Sequence, residues 1–109
     1  MDNKKDDNYY IAKTIEDIDI IIGFTNGCSY EEFECNPMLI DAVMFRLIQM
    51  VENIKHISIA YKELHKEIAW GEIMGFRNGI VHEYGKTDYS IVYGIITEDL
   101  IELRKCLSN

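Results

Sequence analysis

The chain has 109 residues, of which 48% are hydrophobic, with one proline and seven glycines. This length leaves room for one domain, residues 1–109, and the apolar content can fill a core, which excludes disordered and collagen-like chains. Nineteen acidic and eleven basic residues give a formal net charge of −8. A surface this acidic repels phosphate, so nucleic-acid binding through net charge alone is excluded, whereas a local site is not.

The cysteines and the start of the chain indicate a cytoplasmic protein. The three cysteines form no CxxC pair and no zinc-finger spacing with histidine, which is typical of a reducing compartment: Cys28, Cys35 and Cys106. The first ten residues are polar and charged, unlike a signal peptide. Charges interrupt every apolar stretch well before 18 residues, so we expect no membrane span.

The first predicted element is a helix from about Asp7 to Ile22. Its apolar stripe follows the helical period: Ile11, Ile15, Ile18 and Ile22. Glycine and asparagine then supply a stop at Gly23, Asn26 and Gly27. Ser29 and Glu32 fit a capping box, which predicts a short helix ending near Cys35.

The longest predicted helix begins at Asn36 and Pro37, a capping residue followed by proline in the first helical position. Its apolar residues are Leu39, Ile40, Val43, Met44, Leu47, Ile48, Val51 and Ile54. We expect it to end between Lys55 and His65. Because a stripe this wide usually buries two faces, its second face is predicted to form a dimer contact.

A further helix is predicted from Trp70 through Phe76 toward Tyr84. Its glycines share one face that allows close approach by a helix or a ligand: Gly71, Gly75 and Gly79. A last helix follows a cap at Asp88 or Thr87, with these apolar residues inside: Ile91, Val92, Ile95, Ile96, Leu100, Leu103 and Leu107. The predicted fold is an all-α, up-and-down bundle of four main helices plus a short extra helix.

The strongest candidate for chemistry is His82, which stands within ten positions of Arg77, Asn78, Tyr84 and Lys86. Histidine moves protons near neutral pH, and arginine clamps phosphate through paired hydrogen bonds. On one straight helix, however, Arg77 and His82 are about 140° apart. Either the helix breaks before His82 or a second copy of the chain completes the site. A histidine at a helix end and an arginine on a solvated face is the simpler interpretation of the same residues.

Charge is unevenly distributed along the chain. Residues 1–41 carry a net charge of −7 and residues 87–109 one of −2, whereas residues 42–86 carry +1. The middle third is therefore the only part that does not repel an anion, and ordinary solvated helix faces explain the same distribution. A phosphate site there would need local positive charge from Arg77 and Lys86, with contributions from Lys62, Lys66 or Arg46.

The other polar candidates are weaker. His56 and His65 lack a carboxylate at a spacing that completes a metal site, so we expect surface or core roles for them and no metal. Cys28 and Cys106 are predicted to be small buried hydrophobes. Asp17-x-Asp19 and Glu98-Asp99 resemble a nucleotidyltransferase acid pair only superficially, because no Gly-Ser turn or strand holds them.

The segment from Arg77 to Tyr84 reads Arg, four residues, His, one residue, Tyr, and it resembles the signature of HepT-like toxins in the HEPN superfamily of small helical ribonucleases. Upstream, Trp70 to Asn78 resembles the family's Trp-x-x-Ile-x-Gly-Met-Arg-Asn segment. Downstream, Thr87 to Leu100 resembles its last helix, and Phe33 to Glu52 fits its long helix. The resemblance covers most of the chain from Phe33 to Leu107.

This resemblance implies a dimeric, metal-independent endoribonuclease that needs no cofactor. Arg77 would clamp phosphate and His82 would transfer protons, with Asn78 in a supporting role and Lys86 as a further RNA contact. Such toxins are paired with an MntA-type nucleotidyltransferase antitoxin, which uses ATP to transfer AMP onto the motif tyrosine, here Tyr84. The alternative is a non-catalytic helical partner or substrate-binding subunit of a minimal nucleotidyltransferase, which the acidity of the chain favours.

Overall fold

A computed structural model describes the backbone of residues 6–83 and 88–108, and the side chains of these residues except 77–83. Within these ranges it contains helices and no strand: α1 (Asp7–Thr25), α2 (Tyr30–Glu34), α3 (Pro37–Lys55), α4 (Ile59–Leu64), α5 (Trp70–Glu83), α6 (Tyr89–Gly94), a π-helical segment (Ile95–Asp99) and α7 (Leu100–Leu107). The all-α prediction is confirmed. The up-and-down order of the bundle stays a prediction.

The helix boundaries follow the capping residues that the sequence indicates. Ser29 accepts from the amide of Glu32 at 3.2 Å, and the Glu32 carboxylate accepts from the amide of Ser29 at 2.9 Å, so the capping box of α2 is confirmed. Asn36 accepts from the amide of Leu39 at 3.1 Å at the start of α3. Asp88, one of the two predicted caps, accepts from the amide of Ser90 at 2.9 Å. Each side-chain oxygen satisfies an amide that has no partner within its helix.

The predicted core is largely confirmed. The buried hydrophobic residues among those described are Ile18, Ile21, Phe33, Ile40, Val43, Met44, Leu47, Met50, Val51, Ile54, Ile57, Ile68, Ile73, Val92, Ile95, Ile96, Leu100, Leu103 and Leu107. Helix α3 packs against α1, α2 and α5, and α1 also packs against α7. Every α3 residue of the predicted stripe is buried or packs against this core.

Three details of the prediction are wrong. A further short helix, α4, forms between α3 and α5 in addition to the predicted α2. Its Ile59 and Leu64 are 76% and 80% exposed, so it has no apolar stripe that would predict it. Ile91 was expected inside the last helix and is 63% exposed. That last helix also contains the π-helical segment, where the hydroxyl of Thr97 donates to the carbonyl of Tyr93 at 2.7 Å, a bond that competes with the regular ladder.

Polar contacts join α1 to its neighbours at two levels. Asp17, which is 2% exposed, accepts from Arg46 Nη1 at 3.1 Å and from Asn53 Nδ2 at 2.7 Å, so the buried face of α1 carries a carboxylate held by α3. Asp19 accepts from Arg104 Nε at 2.6 Å and Nη2 at 3.1 Å, a bidentate pair between α1 and α7. These directional contacts fix the position of α1 along both helices.

None of the helices, over the residues described, has the length and apolar character required to cross a membrane.

Candidate functional site

The predicted motif lies at the second half of α5. Arg77, Asn78 and His82 belong to this helix, which begins at Trp70 and continues to Glu83. Their side chains fall outside the described part of the structure, and Tyr84 and Lys86 lie outside the described residues altogether. The helix brings Arg77, Asn78 and His82 onto one element, and their mutual geometry is fixed by helical register.

The backbone of α5 excludes one of the alternatives left open by the sequence. The helix does not break before His82, because it continues through Glu83. Arg77 and His82 are five positions apart, which separates them by about 140° around the axis and about 7.5 Å along it. A single copy of α5 therefore presents these two positions to different sides.

The helical register also relates positions 77 and 82 to the described residues in the first half of α5. His82 lies within about 20° of Gly71 and Gly75 around the axis. Both glycines are exposed, and a Cβ atom built on either meets nothing within 4 Å. Arg77 follows Ile73 by four positions, about 40° around the axis, and Ile73 is only 7% exposed. By helical register, position 82 is on the side of α5 that is open at Gly71 and Gly75, and position 77 is nearer to the side of buried Ile73.

Two of the bases predicted to surround the motif are engaged elsewhere. Arg46 pairs with buried Asp17, so its charge is neutralised inside the domain. Lys62 lies over the ring of Trp70, 5.7 Å from its centroid, and burial lowers the pKa of Lys62 against an opposing effect of Asp7. Lys66 is exposed. Of the three bases that the sequence offers as contributors to a basic cleft, Arg46 is thus held by α1, and that contribution stays a prediction.

The weaker candidates take structural roles. His56 stacks on Tyr10 and His65 stacks on Tyr61, with ring centroids 4.9 and 4.1 Å apart. Asp17 and Asp19 are each held by an arginine, as expected for acids without a catalytic scaffold. Among the residues described, no group of three or more His, Cys, Asp or Glu is placed to hold a metal ion.

The cysteines fit the predicted role only in part. All three are free; Cys28 and Cys106 are half-buried and pack against the core, whereas Cys35 is exposed. Burial raises the pKa of the Cys106 thiol, and the nearby carboxylates of Glu102 and Glu67 raise it further. A protonated thiol is a poor nucleophile, so Cys106 is not a candidate for covalent chemistry.

A groove of about 260 Å³ that the sequence did not reveal lies between the first half of α5 and α7. Its floor contains Ile68, Ile73 and Leu103, which are all less than a tenth exposed, and half-buried Phe76. Four exposed carboxylates stand around it, and none of its described lining residues is basic: Glu67, Glu72, Asp99 and Glu102. The first two of these acids are 27 or more positions from the last two in the sequence, so no local pattern predicts the groove.

Comparison with known proteins identifies the family. The sequence model described as "Ribonuclease HepT-like" matches residues 14–109. A protein named "Putative RNase" from Caldanaerobacter subterraneus is 29% identical over 88% of this chain and 86% of its own length. Another of that name from Methanocaldococcus jannaschii is 29% identical over 94% of both chains. A "Probable ribonuclease HepT" from Thermococcus cleftensis is 30% identical over 93% of this chain and 92% of its own length.

No solved structure matches the chain. The family match spans the helices from the middle of α1 onward, including the whole of α5 with Arg77 and His82. The chain therefore belongs to the HepT-like ribonuclease family, as its Arg-x4-His-x-Tyr segment indicated.

Proposed function

We propose that the chain is the toxin of a toxin–antitoxin pair and cleaves RNA as a metal-independent endoribonuclease. The observation that carries this proposal is the Arg-x4-His-x-Tyr segment on α5 in a chain of the HepT-like ribonuclease family. The relatives with "RNase" or "ribonuclease" in their names cover nearly the whole chain, which supports the same activity here.

The reaction class follows from the residue types. The ribose 2′ oxygen attacks the adjacent phosphorus, the bond from phosphorus to the 5′ oxygen breaks, and a 2′,3′-cyclic phosphate and a 5′ hydroxyl result. His82 transfers the proton, Arg77 stabilises the charge that develops on phosphate, and Asn78 supports them. Lys86 contacts the RNA backbone. No metal or cofactor takes part.

A homodimer supplies the geometry that one copy of α5 lacks. Since Arg77 and His82 are about 140° apart on one helix, a second copy approaching the open face of α5 would bring its own arginine toward His82. Exposed Gly71 and Gly75 allow close helix approach on that face. Met38 and Phe45, which are 82% and 63% exposed and about 20° apart around α3, offer apolar area of the kind that dimers bury.

The partner in this proposal is an MntA-type nucleotidyltransferase antitoxin. It transfers AMP from ATP onto the phenolic oxygen of Tyr84, releasing pyrophosphate. Tyr84 follows His82 by two positions, so an added AMP places a bulky anion beside the proposed RNA site and repels phosphate there.

The activity is tested with the purified chain, labelled single-stranded RNA and EDTA. Wild type is expected to cleave, leaving cyclic phosphate ends. His82→Ala is expected to lose cleavage and growth arrest while keeping its thermal melting temperature, because position 82 is next to the end of α5 and belongs to no apolar stripe. Arg77→Lys is also expected to fail, because lysine lacks the bidentate clamp. Cleavage that persists in both variants would refute the assignment.

The modification is tested by intact-mass measurement of the chain, alone and with the nucleotidyltransferase encoded beside it plus ATP. The expected gain is one or more AMP units, mapped to Tyr84. Tyr84→Phe is expected to stay toxic and to escape the antitoxin. If the antitoxin silences Tyr84→Phe as it silences wild type, Tyr84 is not the acceptor.

The second candidate function is a non-catalytic subunit that binds a nucleotidyltransferase. The net charge of −8 favours it, together with the pairing of Arg46 to Asp17, which removes one base from any RNA surface. This function predicts a stable complex with the nucleotidyltransferase and no RNA cleavage that depends on His82, so the EDTA assay separates the two.

A further inference from the structure

The groove between α5 and α7 combines buried apolar residues with four exposed carboxylates. Buried Ile73 and Leu103 line it, together with exposed Glu72 from α5 and Glu102 from α7. Of the four carboxylates, Glu67 contacts His65 Nδ1 at 3.4 Å. No lysine or arginine within the described part of the chain forms an ion pair with the other three.

The size and charge of this groove limit what can occupy it. Its volume of about 260 Å³ is below the roughly 300–1,000 Å³ of small-molecule sites, so it accommodates a side chain of a larger partner better than a free ligand. Four carboxylates repel the phosphates of RNA. They also disfavour a second copy of a chain whose own net charge is −8. Once RNA and a second copy are excluded, the occupant that the groove favours is a cationic segment of another protein.

Arginine matches this groove better than other residues. Its aliphatic stem packs on apolar floors while its planar guanidinium donates to carboxylates on more than one side. Arginine is also enriched among the residues that dominate the binding energy of protein interfaces.

We propose that the groove is a docking site for an arginine-bearing segment of the nucleotidyltransferase partner, with the stem over Ile73 and Leu103 and the guanidinium between Glu72 and Glu102. This inference rests on the partner named in the proposed function and assigns the groove as the surface of this chain that the partner contacts. Its position suits that partner: Glu72 and Glu83, the residue before Tyr84, are eleven residues apart on one helix, about 16 Å along the axis. A protein anchored in the groove is thus within the span of one small domain from the proposed AMP acceptor.

The first test uses a tetra-arginine peptide and amide chemical shifts of the isotopically labelled chain. The expected shifts centre on α5 and α7 around the groove, and they are lost in the double variant Glu72→Gln/Glu102→Gln. The matched control is Glu31→Gln/Glu34→Gln on α2, which removes the same charge from a helix that packs against α3 and α6. Shifts that spread equally over α2 and the groove, or that persist in the groove variant, would overturn the proposal.

The second test measures the affinity of the same proteins for the nucleotidyltransferase encoded beside the chain. The groove variant is expected to bind about tenfold more weakly than wild type and the α2 variant within twofold of it, with His82-dependent RNA cleavage unchanged in both. Equal affinity of the two variants overturns the groove alone. Failure of wild type to bind overturns both the groove and the proposed partner.

Discussion

Replacing Asp17 with asparagine is expected to destabilise the domain by about 2–3 kcal/mol. The carboxylate is 2% exposed and accepts from Arg46 Nη1 at 3.1 Å and Asn53 Nδ2 at 2.7 Å, and Arg46 Nε is buried without a partner. Removing one member of a buried ion pair costs roughly 3–5 kcal/mol, because the remaining charge is stranded away from water. The Arg46 side chain is 29% exposed, so it keeps part of its hydration and the expected cost is reduced.

Urea unfolding of wild type and Asp17→Asn measures this loss in the free energy of unfolding. In a separate thermal melt, the melting temperature of Asp17→Asn is expected to be lower by roughly 10–20 °C, given about 4–8 °C per kcal/mol for a domain of this size. Lys13→Gln, which breaks the exposed pair between Lys13 and Glu16, is the control and is expected to cost less than about 0.5 kcal/mol. The double variant Asp17→Leu/Arg46→Met is expected to recover most of the loss, since an apolar pair needs no hydration. A cost below about 1 kcal/mol for Asp17→Asn would refute the reasoning.

Three further predictions concern the core, acid stability and assembly. Phe33→Ala, at a fully buried ring 5.7 Å from that of Tyr93, is expected to cost about 3–5 kcal/mol in urea unfolding, and a cost under about 1 kcal/mol would contradict its place in the core. Hydrogen bonds from Arg104 lower the pKa of Asp19, so this carboxylate stabilises the fold above its ordinary pKa and ceases to do so as the pH falls through the lowered pKa. The melting temperature is therefore expected to decline more steeply from pH 5 downward in wild type than in Asp19→Asn. Parallel curves for the two proteins would argue against the pair. Met38→Lys/Phe45→Lys is expected to shift sedimentation toward the monomer while Phe24→Lys, at another exposed ring, does not; equal sedimentation of the two would exclude the α3 face as the dimer contact.

The helix ends were predictable because local chemistry determines them. Ser29 with Glu32, Asn36 with Pro37, and Asp88 each satisfy backbone amides within a few residues, and such contacts are encoded by short spacing. The wide stripe of α3 was readable for the same reason, since its periodicity persists over the whole helix. Helix α4 was missed because it buries none of its residues and depends on the cap at Ser58.

The long-range polar contacts could not be predicted. Asp17 and Arg46 are 29 positions apart, and this spacing does not predict that their side chains form a contact. From the sequence, Arg46 is instead one of three possible contributors to an RNA surface. The groove is a similar case, because Glu72 and Glu102 belong to helices that are neighbours only in the folded domain. The motif itself is readable from residue type and spacing, whereas its helical register depends on the continuation of α5 to Glu83.

The net charge of −8 says less about function than where the charges lie. Asp17 and Asp19 are each held by an arginine, so they stabilise the packing of α1 and contribute little field outside the domain. Three of the carboxylates around the groove form no ion pair with a described lysine or arginine, and they come from α5, the π-helical segment and α7. An acidic groove beside the first half of α5 and the Arg-His segment on its second half would repel RNA from one end of the helix and hold it at the other. In the proposed arrangement an arginine-bearing segment of the partner and an RNA substrate would contact opposite ends of α5, and the acidity of the chain is compatible with a ribonuclease.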